Sequence, residues 1–417
     1  MIKNQFLQLL HTLWHANRLM HVLIGALLTA GVFFIYSSTY ISDDAAIRPL
    51  YNRQIVWIFV SLLLYVSFTV FDYRQFKRYE WPIFTGALAL LVLVLFVGTS
   101  MYGAKRWIML FAGISIQPSE LAKLATIILL AGRLSEPGRN RRTPQELILT
   151  LLLVALPAVL ILQQPDLGTA MVFLPTAFVL MFVAGVPFRY IGGLAGAGLC
   201  IILLLLSALL LPAKLGASEE RQEQIASLTG LSAYQRARIE VFFNPALDPL
   251  GAGWNRRQSE IAVGSGGISG KGYLQGTQNI LGYLPRSVAP TDFIYSVIAE
   301  EKGFIGASAV LVAFAALLGM ILATALRTLD AHGRLLCVGV ATFMFFHVFI
   351  NVAMTVGLMP ITGLPLPLLS YGGSFLMVVM SALGIVQSVY VRCDRRTSCR
   401  ENEERGKRSL CLFLGKS

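Results

Sequence analysis

The sequence predicts an all-α polytopic membrane protein of about ten transmembrane helices, with one long extracytoplasmic loop between spans seven and eight. Composition is the first sign: 56% of the 417 residues are hydrophobic and 13% are charged, against roughly a quarter charged in soluble domains. The second is length, since several apolar runs reach the roughly 18 residues that a membrane-crossing helix needs. The third is charge placement. Lys and Arg collect in the short connections of one side, as expected for cytoplasmic loops.

Residues 1–18 form a short amphipathic cytoplasmic lead-in with Lys3, His11, His15 and Arg18. Apolar runs follow at 19–38, 54–71, 82–98, 118–133, 147–163, 168–186, 189–211, 304–326, 335–357 and 366–391, so the membrane domain covers 19–391. The first run is long and lacks a small-residue cleavage site, and it is expected as the first span rather than a cleaved leader. Arg74, Lys77 and Arg78 follow the second run, Arg133 to Arg142 the fourth, Arg189 the sixth, and Arg327 with Arg334 the eighth. Both termini are therefore expected in the cytoplasm, and segment 212–303 outside. The basic tail 392–417 is expected as a mobile segment on anionic lipid.

The net charge of +12 would suggest nucleic acid as the partner of a soluble protein. Here the basic residues sit in loops and tail, with no compact basic domain, and nucleic-acid binding is excluded. The five cysteines (Cys200, Cys337, Cys393, Cys399 and Cys411) show no paired spacing, so neither a disulfide nor a metal centre is expected. The sequence identifies no cofactor and leaves the use of a divalent cation open.

Chemistry concentrates at LPRSVAPTDFIYSVIAEEKG, residues 284–303, with carboxylates at Asp292, Glu300 and Glu301. Pro290, Thr291 and Asp292 read as a helix start with Thr291 as its cap. Asp292 either complements the positive end of that helix or is a carboxylate held at the membrane surface to act on a substrate. On one helix Glu300 would lie about 12 Å along the axis from Asp292 and about 80° round from it. Paired glycosidase carboxylates stand roughly 5–9.5 Å apart, so a single base is favoured.

Three short loops, 99–117, 164–168 and 358–374, are expected on the same outer side as Asp292, so that polar groups from four connections can converge there. In loop 99–117, Lys105 and Arg106 precede Trp107; these are either snorkelling cations beside a belt tryptophan or a clamp for a phosphate-bearing lipid. Glu120 and Lys123 stand three apart on one helical face and can pair, as a packing element or as the polar wall of a cavity. Asp166 in QPDLGT either caps the sixth helix or adds a second carboxylate to the site. The glycines of GSGGISGKG, residues 264–272, permit close backbone approach without the spacing of a phosphate-binding P-loop. Met359 to Ser374 carries three prolines, three glycines and no charge. Broken backbone at that depth is tolerated where protein buries it or where it lines a cavity, and a cavity wall is expected.

Taken jointly, AKRW at 104–107, QPSELAK at 117–123, QPDLGT at 164–169, GSGG at 264–267, TDF at 291–293, AEE at 299–301 and LPLLSYGGS at 366–374 resemble the SEDS family of membrane-embedded peptidoglycan polymerases. The resemblance covers nearly the whole chain. DPLGAGW, the GTQ at 276–278 and GLPLPLLSYGGS resemble the elongation branch rather than the division branch. The resemblance implies a glycosyltransferase of the cytoplasmic (inner) membrane. It would polymerise lipid II, the undecaprenyl-pyrophosphate-linked disaccharide peptide, at the outer face, for cell elongation and rod shape. It implies a class B penicillin-binding transpeptidase as partner within the elongation machinery. Asp292 matches the family's essential aspartate and Trp107 its important tryptophan, while Glu120 and Lys123 match a buried polar pair of its central cavity. Lys105, Arg106, Asp166 and Ser370 complete the expected substrate-binding set.

One departure is local. The family usually carries Glu and His just before TDF, as in LPERHTDF; here LPRSVAPTDF is two residues longer and has neither. Two other functions remain open from sequence: a lipid II flippase with a path lined by Glu120 and Lys123, and a non-catalytic scaffold that activates a transpeptidase.

Overall fold

Apolar runs of membrane length close their own backbone hydrogen bonds by coiling, because lipid offers no partners. The computed structural model describes residues 16–42, 44–101, 104–109, 115–139, 143–216, 218–231 and 233–414, and side chains as far as Cys393. Residues 1–15 of the expected lead-in lie outside the described residues.

The chain enters as α1 (Arg18–Thr39), α2 (Leu50–Val70) and α3 (Phe76–Val97), then forms strands β1 (Thr99–Met101), β2 (Ala104–Met109) and β3 (Ser115–Ile116). Next come α4 (Pro118–Leu134), α5 (Pro144–Gln163), α6 (Leu167–Val183) and α7 (Phe188–Lys214). The long polar segment folds into α8 (Glu219–Ser227), α9 (Ala233–Phe243), α10 (Ala252–Ser265) and the single turn α11 (Thr277–Ile280). The chain closes with α12 (Ile294–Arg327), α13 (Ala331–Thr355) and α14 (Gly373–Leu414). Pro118 and Pro144 sit in the first turns of α4 and α5, where a missing N–H costs nothing.

Eight helices among the described residues are long and apolar enough to cross a membrane. Leu167–Val183 is apolar but shorter, and Pro118–Leu134, also 17 residues, carries Glu120, Lys123 and Arg133. Length and composition therefore support eight of the ten expected spans by themselves. The basic tail, expected as a mobile segment, continues α14 as helical backbone through Leu414.

Burial sorts these helices. α13 and the apolar part of α14 are mostly buried, while little of α2, α3 and α5 is buried and almost none of α7. On α4 only Leu121 of the 17 residues escapes burial. The bundle thus has α4, α13 and α14 at its centre. Glu120, Lys123, His347 and Asn351 are buried on these central helices, as expected when a polar group facing lipid is expensive.

Two expectations are corrected here. Loop 99–117 contains a small antiparallel sheet in the order β1-β2-β3, with Thr99 opposite Trp107 and Ile108 opposite Ile116. Thr291 does not cap a helix: residues 285–293 form tight turns, in which Val288 accepts from Asp292 and Phe293, and α12 begins at Ile294 with Phe293 at its cap position. The hydroxyl of Thr291 turns back to the carbonyl of Val288 at 3.1 Å. The broken segment between α13 and α14 divides: Leu364, Leu366, Leu368 and Leu369 are buried at 0–1% exposure, while Pro360, Ile361 and Thr362 line a depression with Pro165 and Arg238, as a cavity wall would.

The glycine-rich segment has a specific task. α12 breaks at Gly303 (φ +64°), and 266–272 threads into the break. Lys271 and Gly272 donate backbone N–H groups to Glu300 and Glu301, and Phe304 and Ile305 donate to Gly267 and Ile268. A Cβ on Gly266, Gly270 or Gly303 would overlap the opposing backbone. Only glycine lets two backbones meet so closely.

Candidate active site

At the N-terminal end of α12, the turn 288–292 is held by the central helix and the broken segment together. Asn351 on α13 donates through Nδ2 to the carbonyls of Asp292 (2.9 Å) and Leu364 (2.7 Å). Tyr371 donates its backbone N–H to the Pro290 carbonyl at 2.8 Å. Ser370 donates its hydroxyl to the Thr291 carbonyl at 2.5 Å and accepts from the Leu366 N–H at 2.8 Å. The hydroxyl of Ser370, a residue expected as a substrate contact, joins two backbone segments.

These contacts fix the backbone of Asp292 and leave its carboxyl to the site. Desolvation pushes that half-buried carboxyl up to about 6, against the pull of Arg238, the Thr291 hydroxyl and Arg106 toward the charged form; the charge of Asp166 adds to the rise. A carboxylate near neutrality can accept a proton at working pH.

Arg106 reaches the site from β2. Its Nε donates to the Gln164 carbonyl at 2.9 Å, its Nη2 donates to the Pro165 carbonyl, and its Nη1 lies 3.9 Å from Asp166 Oδ2. Asp166 caps α6, as expected, and its carboxylate also lies beside Arg106. It accepts from the Thr169 N–H at 3.1 Å and the Thr169 hydroxyl at 3.0 Å, and Gln117 Nε2 donates to it at 3.1 Å. The side chain of Lys105 lies outside the described residues. Trp107 is half-buried in the sheet, its carbonyl accepting from the Thr99 hydroxyl at 3.2 Å.

Glu120 and Lys123 form the expected pair, 2.9 Å apart with 2–3% exposure, deep in the bundle. Lys123 Nζ also lies 2.9 Å from His347 Nε2 and sits over the rings of Phe343 and Phe375. Glu300 accepts from Lys271 Nζ at 2.6 Å and from the Gln278 N–H at 2.9 Å, while Glu301 accepts from the Ser37 hydroxyl. The Glu300 carboxylate thus holds the segment that threads the break of α12, and that of Glu301 ties α12 to α1.

Arg238, His347 and Asn351 were not anticipated. His347 and Asn351, polar side chains one turn apart in an apolar run, carried a usable signal, since an intramembrane histidine usually faces the bundle interior. Arg238, one of several cations in a polar segment, carried none.

Comparison with known proteins agrees with this architecture. The pattern of the cell cycle protein family FtsW/RodA/SpoVE matches residues 17–394. The chain is 37% identical to peptidoglycan glycosyltransferase RodA of Treponema pallidum, over 88% of this chain and 95% of that protein. It is 33% identical to peptidoglycan glycosyltransferase MrdB of Escherichia coli K12, over 91% and 95%. Among solved structures, it superposes on a chain of a peptidoglycan synthase complex with a TM-score of 0.70 at 31% identity, covering 91% of this chain and 98% of that one. The rod shape determining protein RodA of Thermus thermophilus gives 0.62 at 30% identity, with 90% and 96% covered. With apolar helices of membrane length around a polar core and a match spanning nearly its whole length, the chain is a multi-pass membrane protein that belongs to the FtsW/RodA/SpoVE family.

Proposed function

We propose that this protein is a peptidoglycan glycosyltransferase, polymerising lipid II at the outer face of the cytoplasmic membrane for cell elongation. The observation that carries the reading is the carboxyl of Asp292, raised to about 6 by desolvation and set beside two arginines. The family and the printed activities of its RodA and MrdB relatives support it.

The reaction asks for a base and an electrophilic clamp. A sugar hydroxyl of the acceptor attacks the anomeric carbon of the donor, forming the glycosidic bond as the bond from that carbon to the lipid pyrophosphate breaks. Asp292 takes the hydroxyl proton, since the sugar's own pKa lies far above neutral. Positive charge must meet the departing pyrophosphate; Arg106, with Lys105 beside it in sequence, is assigned there. A divalent cation, where the reaction uses one, would arrive on the pyrophosphate. Both termini then face the cytoplasm, segment 212–303 faces outward, and a class B penicillin-binding transpeptidase is the proposed partner.

The flippase reading gains nothing from Glu120 and Lys123, which are buried and bound to each other. Purified protein supplied with lipid II should yield glycan polymer, and Asp292→Ala should yield none while still eluting as folded protein. Polymer at the normal rate from that variant would refute the assignment.

A further inference from the structure

The countercharge of Asp292 comes chiefly from the long polar segment rather than from the AKRW motif. Among the charges around that carboxyl, Arg238 on α9 pulls hardest toward ionisation, ahead of Arg106. Arg106 already shares its charge with Asp166 and is held by two carbonyls of the turn 164–165. Arg238 Nη1 donates to the neutral carbonyl of Ile361 at 2.8 Å. A Cβ built on Gly363 would lie 3.4 Å from Asp292 Oδ2 and 3.9 Å from Arg238 Nη1. The carboxylate oxygen and the guanidinium therefore flank one point, kept open by a glycine at φ +75°.

The helix that carries Arg238 bridges two walls of the site. One turn earlier, Gln235 Nε2 donates to the Leu162 carbonyl at 3.5 Å, at the end of α5. Arg238 and Gln235 thus tie α9 to the α5–α6 turn on one side and to the broken segment on the other, and a shallow depression lies between Pro165, Arg238 and Ile361.

We infer that Arg238 is a positioning residue for Asp292: its guanidinium, anchored on Ile361 and facing the carboxylate across Gly363, favours the charged form of that carboxylate, so that the seating of α9 across the site governs the catalytic carboxyl. This rests on Asp292 being the base of the proposed reaction. The charged groups facing that carboxyl are Arg238 from α9, Arg106 from β2 and Asp166 from the α5–α6 turn. α13 presents the neutral Asn351, which holds the Asp292 carbonyl.

The test is the pH profile of kcat/KM for polymer formation from purified lipid II, using the full chain and its Arg238→Gln and Arg238→Lys variants. Removing the cation raises the pKa of the base, so the acidic limb for Arg238→Gln should move to higher pH. A shift of one pH unit makes that variant about tenfold poorer at acid pH than its own plateau predicts, because each pKa unit is tenfold in the ionised fraction. Arg238→Lys should keep a limb close to that of the parent. A limb for Arg238→Gln that coincides with the parent, or one for Arg238→Lys displaced as far as the glutamine variant, overturns the inference. Asp292→Ala, run alongside, separates the two failures: polymer from that variant removes the base itself, whatever Arg238 does.

Discussion

Lys123 Nζ stands 2.9 Å from Glu120 on one side and 2.9 Å from His347 Nε2 on the other, and so links α4 to α13 inside the bundle. Breaking a buried ion pair by removing one partner leaves an uncompensated charge, at a cost of about 3–5 kcal/mol. Lys123→Met should therefore lower stability by about that amount. The double variant Glu120→Gln/Lys123→Met should cost less than Lys123→Met alone, because no buried charge is then stranded. Thermal unfolding in detergent measures both; a double variant no more stable than the single one would contradict a buried ionic pair.

Asp292 carries a pH signature. With its carboxyl at about 6, the base is protonated below that value, so polymerisation should fall as pH drops through about 6 and level off about one unit above it. Asp292→Asn should flatten the profile and cut the rate by about 10²–10⁴-fold, the usual contribution of a general base. A profile unchanged in the variant would assign the acidic limb to another group.

Arg106 should behave differently from a free surface cation, because its fork is spent on the carbonyls of Gln164 and Pro165. Arg106→Lys keeps the charge and loses the fork, and should retain more activity than Arg106→Gln, which should slow turnover by about 10²-fold, the lower end for losing one transition-state donor. Equal rates for lysine and glutamine variants would show that anchoring the turn, and not charge, is its contribution.

Ser370→Ala removes the hydroxyl that joins Leu366 to Thr291. Leaving buried backbone groups unpaired costs about 1–3 kcal/mol, and the loss should appear as a lower melting temperature together with a lower kcat, since the same bonds place Asp292. An unchanged melting temperature would mean that water replaces both bonds.

The glycines of GSGGISGKG divide into two kinds. Gly270 has φ +81° and its Cβ would run into the Glu301 carbonyl, whereas nothing lies within 4 Å of a Cβ on Gly264. Gly270→Ala should destabilise by roughly 1–3 kcal/mol or more, and Gly264→Ala, in the regular helix α10, should be neutral or slightly stabilising. Similar melting temperatures for the two would contradict the threading of this segment through the break in α12.

Residue patterns alone determined the helical membrane class and the Glu120–Lys123 pairing, because hydrophobic run length and i,i+3 spacing are local properties; they left Asp292 open between a helix-end charge and a base. They also marked Asp166 as a helix cap, which its side chain is. They missed the strands of 99–117, where turns and pairing between short segments outweigh helical propensity, and they misread Thr291, whose hydroxyl turns back onto Val288. Tertiary structure alone decided that Ser370 positions backbone, that the glycine-rich segment repairs a broken helix, and that Arg238 comes to Asp292 from more than fifty residues away in sequence. The reason is physical: charge and burial at a site are sums over neighbours in space, and a chain that folds back through its own long loop brings together neighbours that no short spacing encodes.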